Sequence, residues 1–214
     1  MHVACLHTVE SNIAVFDAAA TALGIDGLTL SHTVRPDLLQ RAEEEGALTT
    51  PIRDEAARAL EALSRSADAV LLTCSTLGPA SAAARQAASP VLRVDEALAV
   101  EALAAGGNLV VLCAAPTTME PTRALFAHIA EPSGRDFAIL LVEGAWDKRK
   151  AGDLDGYLGD IAAAIDRAYA QGADHVALAQ ATMAAAAERT AAGPRAFTSP
   201  SAGLLAAVKA AQAR

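Results

Sequence analysis

Ala67-Asp68-Ala69-Val70-Leu71-Leu72-Thr73-Cys74-Ser75-Thr76-Leu77 is the stretch whose reading decides the fold. Its apolar run does not alternate, which is the mark of a strand buried on both faces of a parallel sheet. The run stops at a thiol set among hydroxyls, and Gly78-Pro79 then breaks the chain before an alanine-rich segment. Open parallel sheets bind ligands at the C-terminal edge of their strands, so the thiol and hydroxyls arrive where chemistry is done. The pattern predicts a helix over Ser81–Ala88, its N-terminal amides aimed at that edge, where they favour anions and lower a thiol's pKa.

A second copy follows at Ala173-Asp174-His175-Val176-Ala177-Leu178-Ala179-Gln180-Ala181-Thr182-Met183. Without gaps, Asp174 falls on Asp68, Val176 on Val70, Leu178 on Leu72 and Thr182 on Thr76. Gln180 falls on Cys74, an offset of 106 residues. At the same offset Val3–Leu6 matches Leu109–Leu112, and Ser11 matches Thr117. One cysteine is therefore set against one glutamine across an internal repeat.

Bulk composition narrows the class. The 214 residues are 53% hydrophobic with only 3% aromatics, so small aliphatic packing has to fill the core. A net charge of −8 gives no electrostatic footprint for nucleic acid. Local amides and hydroxyls can still hold an anion. The first residues, Met1-His2-Val3-Ala4-Cys5-Leu6-His7, read as a strand and not as a signal peptide. No apolar run reaches the roughly 20 residues of a membrane span. The spacing of Cys5, Cys74 and Cys113 gives neither a disulfide framework nor a zinc pattern. The expectation is a cytoplasmic protein with free thiols, no metal, no membrane and no nucleic acid, in which the apolar fraction suits a homodimer.

Along the chain, strands are expected at Val3–His7, Leu28–His32, the cysteine stretch, Val91–Val94, Asn108–Cys113, Phe137–Val142 and the second copy. Helices fall between them: Ile13–Leu23, Asp37–Glu45, Thr50–Ser64, Ser81–Ala88, 95–105, a segment reaching Ile129, 153–171, 183–191 and 202–213. Gly106-Gly107 is the best internal boundary. Strict alternation predicts an α/β fold of two similar lobes, each a short parallel sheet flanked by helices. The lobes are expected over 1–98 and 99–197, related by a pseudo-twofold axis with the cleft between them, and segment 198–214 packing back on the first. A single continuous sheet is the architectural alternative.

The Thr73-Cys74-Ser75-Thr76 turn, the Glu10-Ser11-Asn12 loop, Thr117-Thr118 after a strand and the repeated equivalent of Cys74 resemble the aspartate/glutamate racemase superfamily. That group includes amino-acid and hydantoin racemases, maleate isomerase and arylmalonate decarboxylase. The resemblance covers nearly the whole chain and implies an α/β enzyme free of metal and organic cofactor, acting on a small carboxylate-bearing molecule. In the racemases two cysteines face the stereocentre from opposite sides; one thiolate removes the proton and the other thiol returns one. An α-proton beside a carboxylate is so weakly acidic that a placed base and a stabilised enolate have to share the work.

Gln180 departs from that pattern, because a primary amide only donates and accepts hydrogen bonds. One-thiol relatives exist in the decarboxylases, where a single cysteine protonates an enediolate, although there the retained cysteine is the one in the other half. The resemblance makes Cys74 the catalytic thiol, against the alternative of a buried structural one. It makes Ser11, Asn12, Ser75, Thr76, Thr117, Thr118 and Thr182 ligands for substrate oxygens, with Gln180 assisting; each hydroxyl also reads as a helix cap. His7 and His32 close strands and stand as candidates for the missing acid, or as hydrogen-bonded structural groups. His175 reads as structural, Cys5 and Cys113 as core, and Arg35 as either a contact for a distal carboxylate or a solvated arginine. The function implied is a racemase or isomerase working by proton transfer, with a one-cysteine decarboxylase or a non-catalytic binding relative as alternatives.

Overall fold

A computed structural model describes residues 1–213; Arg214, the end of the segment expected to return to the first lobe, lies outside the described residues. The chain divides into two compact units, Met1–Ala97 with the chain from Pro200 onward, and Leu98–Ser199.

The first unit contains β1 (His2–His7), α1 (Asn12–Leu23), β2 (Thr29–Val34), α2 (Pro36–Glu44), α3 (Thr50–Ser64), β3 (Ala69–Leu72), α4 (Ala80–Ala83), β4 (Val91–Arg93) and the start of α5 (Val94–Ala104). Its four strands are parallel in the order β2-β1-β3-β4. Every residue of β3 is buried, which is why its sequence is an unbroken apolar run. Ala4, Leu6, Val70 and Leu72 pack with Leu38, Ile52 and Leu60 of α2 and α3. The opposite face carries Val3, Cys5 and His7, with the His7 ring 5.3 Å from that of Phe16 in α1. Gly24 ends α1 at φ +59°, where a residue without Cβ closes the helix with an N–H bond to Thr21.

The second unit takes the rest of α5, then β5 (Leu109–Cys113), a 3₁₀ turn at Pro116–Thr118, α6 (Met119–Ala130), β6 (Phe137–Leu141), α7 (Ala145–Lys150), α8 (Leu154–Ala170), β7 (His175–Leu178), a 3₁₀ helix at Ala181–Glu188 and β8 (Phe197–Thr198). Its parallel sheet runs β6-β5-β7-β8, the same order as the first. From Pro200 on, α9 (Ser199–Gln212) belongs with the first unit. Gly203 approaches Val94 so closely that an added Cβ would lie 2.7 Å from Val94 Cγ1.

The repeat extends to individual hydrogen bonds. Asp68 Oδ2 accepts from His2 N at 2.7 Å, and Asp174 Oδ2 accepts from Asn108 N at 2.7 Å. Thr73 N donates to Leu6 O at 3.1 Å, and Ala179 N donates to Leu112 O at 3.0 Å. Each pair is separated by the 106-residue offset.

Several elements differ from the sequence expectation, for reasons outside the local pattern. The helix expected over Ser81–Ala88 is only the single turn α4. Gln86 N is taken by Glu61 Oε1 at 3.0 Å and Ala88 N by Ser64 Oγ at 2.8 Å, so α3 supplies acceptors the helix would have used. The helix expected over Met183–Ala191 is a 3₁₀ helix that stops at Glu188, with Asp166 of α8 accepting from Ala191 N and Ala192 N. The charged run Asp147–Lys150 lies in α7 with Asp147 and Lys150 exposed to solvent, and Lys148 pairs with Asp160 of α8 at 2.6 Å. The two-residue strand β8 and α7 itself carry no sequence signal strong enough to be read alone.

Candidate active site

Because β1 and β3 are adjacent and parallel, the loop after His7 and the loop after Leu72 emerge side by side. Cys74 sits there half-buried. Its sulfur accepts from the Thr8 hydroxyl and from the backbone N–H groups of Thr76 and Leu77. These three donors favour the thiolate, but burial outweighs them, and Asp95 adds a further push, so the thiol titrates above its ordinary value of 9.0. This corrects the sequence expectation of a lowered pKa. The following helix is one turn long and brings no macrodipole of consequence.

The loop carrying Cys74 is braced from β4. Arg93 grips Asp95 through both guanidinium nitrogens, Nε to Oδ1 at 3.0 Å and Nη2 to Oδ2 at 2.8 Å, with the Asp95 side chain almost fully buried. The guanidinium lies against Gly78, where an added Cβ would meet Nη2 at 2.2 Å. A side chain at position 78 would have to push the Arg93 guanidinium away from its seat on Asp95.

Thr73, Ser75 and Thr76 are all buried beside Cys74. Ser11 occupies the N-cap of α1 without a side-chain capping bond. Asn12 opens α1, is buried, and its Oδ1 has no hydrogen-bond partner, an acceptor left for a ligand or water.

At the corresponding edge of the second unit the chemistry differs. Gln180 Oε1 accepts from Ala114 N at 2.7 Å and Ala115 N at 3.0 Å. Its oxygen therefore joins the loop after β7 to the loop after β5. Thr118 donates its hydroxyl to Ala115 O at 2.7 Å, while the buried Thr117 Oγ1 has no partner. Thr182 shares a 2.8 Å hydrogen bond with Tyr157 OH of α8. Burial pushes the Tyr157 phenol up to about 12, so it serves as a neutral hydrogen-bonding group.

The remaining candidates sort by their partners. His7 and His32 stack and bond to one another, Nε2 to Nδ1 at 2.9 Å. His7 is fully buried, and burial lowers its pKa to about 4. Arg35 is held by Asp37 at 2.6 Å and Glu55 at 2.5 Å, which leaves a distal substrate carboxylate two competitors for it. His175 starts β7 and packs on Phe197. Cys5 and Cys113 are buried in their strands. Sequence reading missed Thr8, Arg93, Asp95 and Tyr157. The Arg93-Val94-Asp95 spacing after a strand was a usable signal, whereas Tyr157 reaches Thr182 only through the packing of α8.

Two parallel α/β units, the first with a thiol at its central strand end, define the class. The Asp/Glu/Hydantoin racemase family model matches residues 6–210, and the chain belongs to that family. No curated protein matches the sequence. Among solved structures, the Picrophilus torridus aspartate racemase matches with a TM-score of 0.76 at 17% identity, over 99% of this chain and 94% of that one. Allantoin racemase from Pseudomonas fluorescens matches at 0.67 and 16% identity, over 100% and 92%. An arylmalonate decarboxylase matches at 0.58 and 13% identity, over 99% and 92%. At these identities the likeness is one of fold. No helix among the described residues is long and apolar enough to cross a membrane.

Proposed function

We propose that the protein is a racemase- or isomerase-like enzyme moving a proton at the carbon beside a carboxylate or carbonyl of a small molecule. Cys74 is its single catalytic thiol and needs no cofactor for this step. The observation that carries the reading is the Cys74 cradle: a half-buried cysteine at a strand end, its sulfur held by the Thr8 hydroxyl and two backbone N–H groups. Those donors stabilise the thiolate once it has given up its proton, and burial keeps the thiol charged with a proton beforehand. Ser11, Asn12, Ser75, Thr76, Thr117, Thr118 and Thr182 bind substrate oxygens, the orphaned Asn12 Oδ1 and Thr117 Oγ1 being the readiest. Gln180 presents its NH₂ group, since its oxygen is committed to Ala114 and Ala115. The free thiols suit a cytoplasmic location.

A second reading has its own support. A thiol held neutral is a proton donor first, and Gln180 has no proton to exchange. Decarboxylation needs only one-sided protonation of an enediolate, which Cys74 alone supplies. Incubating the protein with α-amino acids, hydantoins, malonates and maleate in D₂O separates the readings. Isomerase chemistry exchanges the α-proton or inverts the substrate; lyase chemistry releases CO₂ and leaves one deuterium in the product. Tight binding with neither outcome overturns both in favour of a non-catalytic relative.

A further inference from the structure

On the α1 face of the first sheet, one ligand atom from each of Cys5, His7 and His32 lies within 4.8 Å of the other two. Register creates this group. Cys5 and His7 alternate along β1, and the β1–β2 pairing sets Cys5 opposite His32. The outer nitrogen of each imidazole has its own partner: His32 Nε2 meets Asp17 Oδ1 at 3.1 Å, and His7 Nδ1 meets Thr73 Oγ1 at 2.8 Å. A carboxylate can only accept, so His32 carries its proton on Nε2 and presents a bare Nδ1 lone pair inward. Thr73 has two acceptors in reach, His7 Nδ1 and Leu6 O at 3.1 Å. When its hydroxyl turns to Leu6, His7 holds its proton on Nδ1, and its Nε2 lone pair also points inward. The 2.9 Å hydrogen bond between His7 Nε2 and His32 Nδ1 then needs a proton beyond those two, and a cation can take that proton's place with a thiol beside it.

We infer that Cys5, His7 and His32 form a binding site for a divalent cation of the zinc class, with Asp17 and Thr73 orienting the two imidazoles. One thiolate and two imidazoles are the donor set that borderline-soft cations prefer, and three protein ligands leave a position for water. Carboxylate and hydroxyl partners on the outer nitrogens are the usual support for metal-bound histidine. On uptake the Cys5 S–H bond breaks, an S–metal bond forms and the proton leaves to water. One thiolate and the neighbouring Asp17 carboxylate offset the two positive charges. Asp17, the outer partner of His32, lines a surface depression of about 530 Å³ together with Ala20, Thr21 and Leu30. The cation acts as a structural tie between β1 and β2, linked to the Cys74 loop through Thr73 and through Thr8, which follows His7, and takes no part in the proton transfer proposed above.

The test is a titration of chelator-treated protein with Co²⁺ and then Zn²⁺. One equivalent of Co²⁺ should produce a thiolate-to-cobalt charge-transfer band and tetrahedral visible bands, displaced by Zn²⁺, with a rise in melting temperature. Cys5→Ser should remove the charge-transfer band, and Asp17→Asn should weaken binding about 10–100-fold. His32→Gln should weaken it further. The Asp17 and His32 variants alter the outer end of the cluster, so they decide the matter even where Cys5→Ser fails to fold by circular dichroism. Absence of the band in the unaltered protein overturns the inference. So does a band that survives Cys5→Ser, or an affinity unchanged by His32→Gln and Asp17→Asn, which would mark a surface ion.

Discussion

At the end of β3, a sulfur takes hydrogen bonds from a neighbouring hydroxyl and from two amides of its own loop. At the end of β7, the amide oxygen aligned with it takes two from the backbone of the loop after β5. The surrounding frame is shared down to the aspartates that anchor β1 and β5. Architecture repeated at this level does not repeat the chemistry. Cys74 is held but remains partly open, whereas Gln180 spends its acceptor on holding the fold. The proposed proton transfer falls to the first edge, while the Gln180 oxygen braces the second.

The largest effect expected is on turnover. Cys74→Ser should lower kcat/KM by about 10²–10⁴, the range for loss of a placed acid–base group, with circular dichroism unchanged. Gln180→Ala should do the reverse: removing the acceptor leaves two amides unpaired and should destabilise the protein by about 1–3 kcal/mol in urea unfolding. Gln180→Glu, which keeps the acceptor and adds charge, should restore most of that stability.

Ionisation sharpens the contrast. Burial raises the Cys74 pKa, so its alkylation rate should keep rising beyond about pH 10, where an ordinary thiol of pKa 9.0 has nearly levelled off. The same shift has a stability consequence. A thiol or phenol whose folded pKa is raised stabilises the fold below its unfolded value, and that contribution is lost as pH climbs past it. Cys113, raised from 9.0, and Tyr157, raised from 10.0 to about 12, should therefore make unfolding easier above pH 9. Each contributes a slope of up to about 1.4 kcal/mol per pH unit within its window. The smallest effect tests the shared frame: Asp68→Ala and Asp174→Ala remove matched, exposed hydrogen bonds and should each cost about 1 kcal/mol or less, by equal amounts.

The strand stretches were legible because burial on both faces leaves an unbroken apolar run, and the repeat was legible because Asp68 and Asp174 anchor the same turn. The truncation of α4 was not, since the acceptors that shorten it, Glu61 and Ser64, come from α3. The raised Cys74 pKa was hidden for a similar reason: desolvation is a property of the packed loop, not of the Thr-Cys-Ser-Thr string. Nor does the spacing of Cys5, His7 and His32 resemble a metal motif. Only the β1–β2 register places His32 opposite Cys5.

The most direct test of the division between the two edges is solvent deuterium incorporation at the substrate carbon, measured side by side for Cys74→Ser and Gln180→Ala. The account predicts that the cysteine variant binds substrate yet incorporates none, while the glutamine variant, below its melting temperature, still incorporates deuterium. Incorporation that persists without the thiol and vanishes without the amide would contradict it.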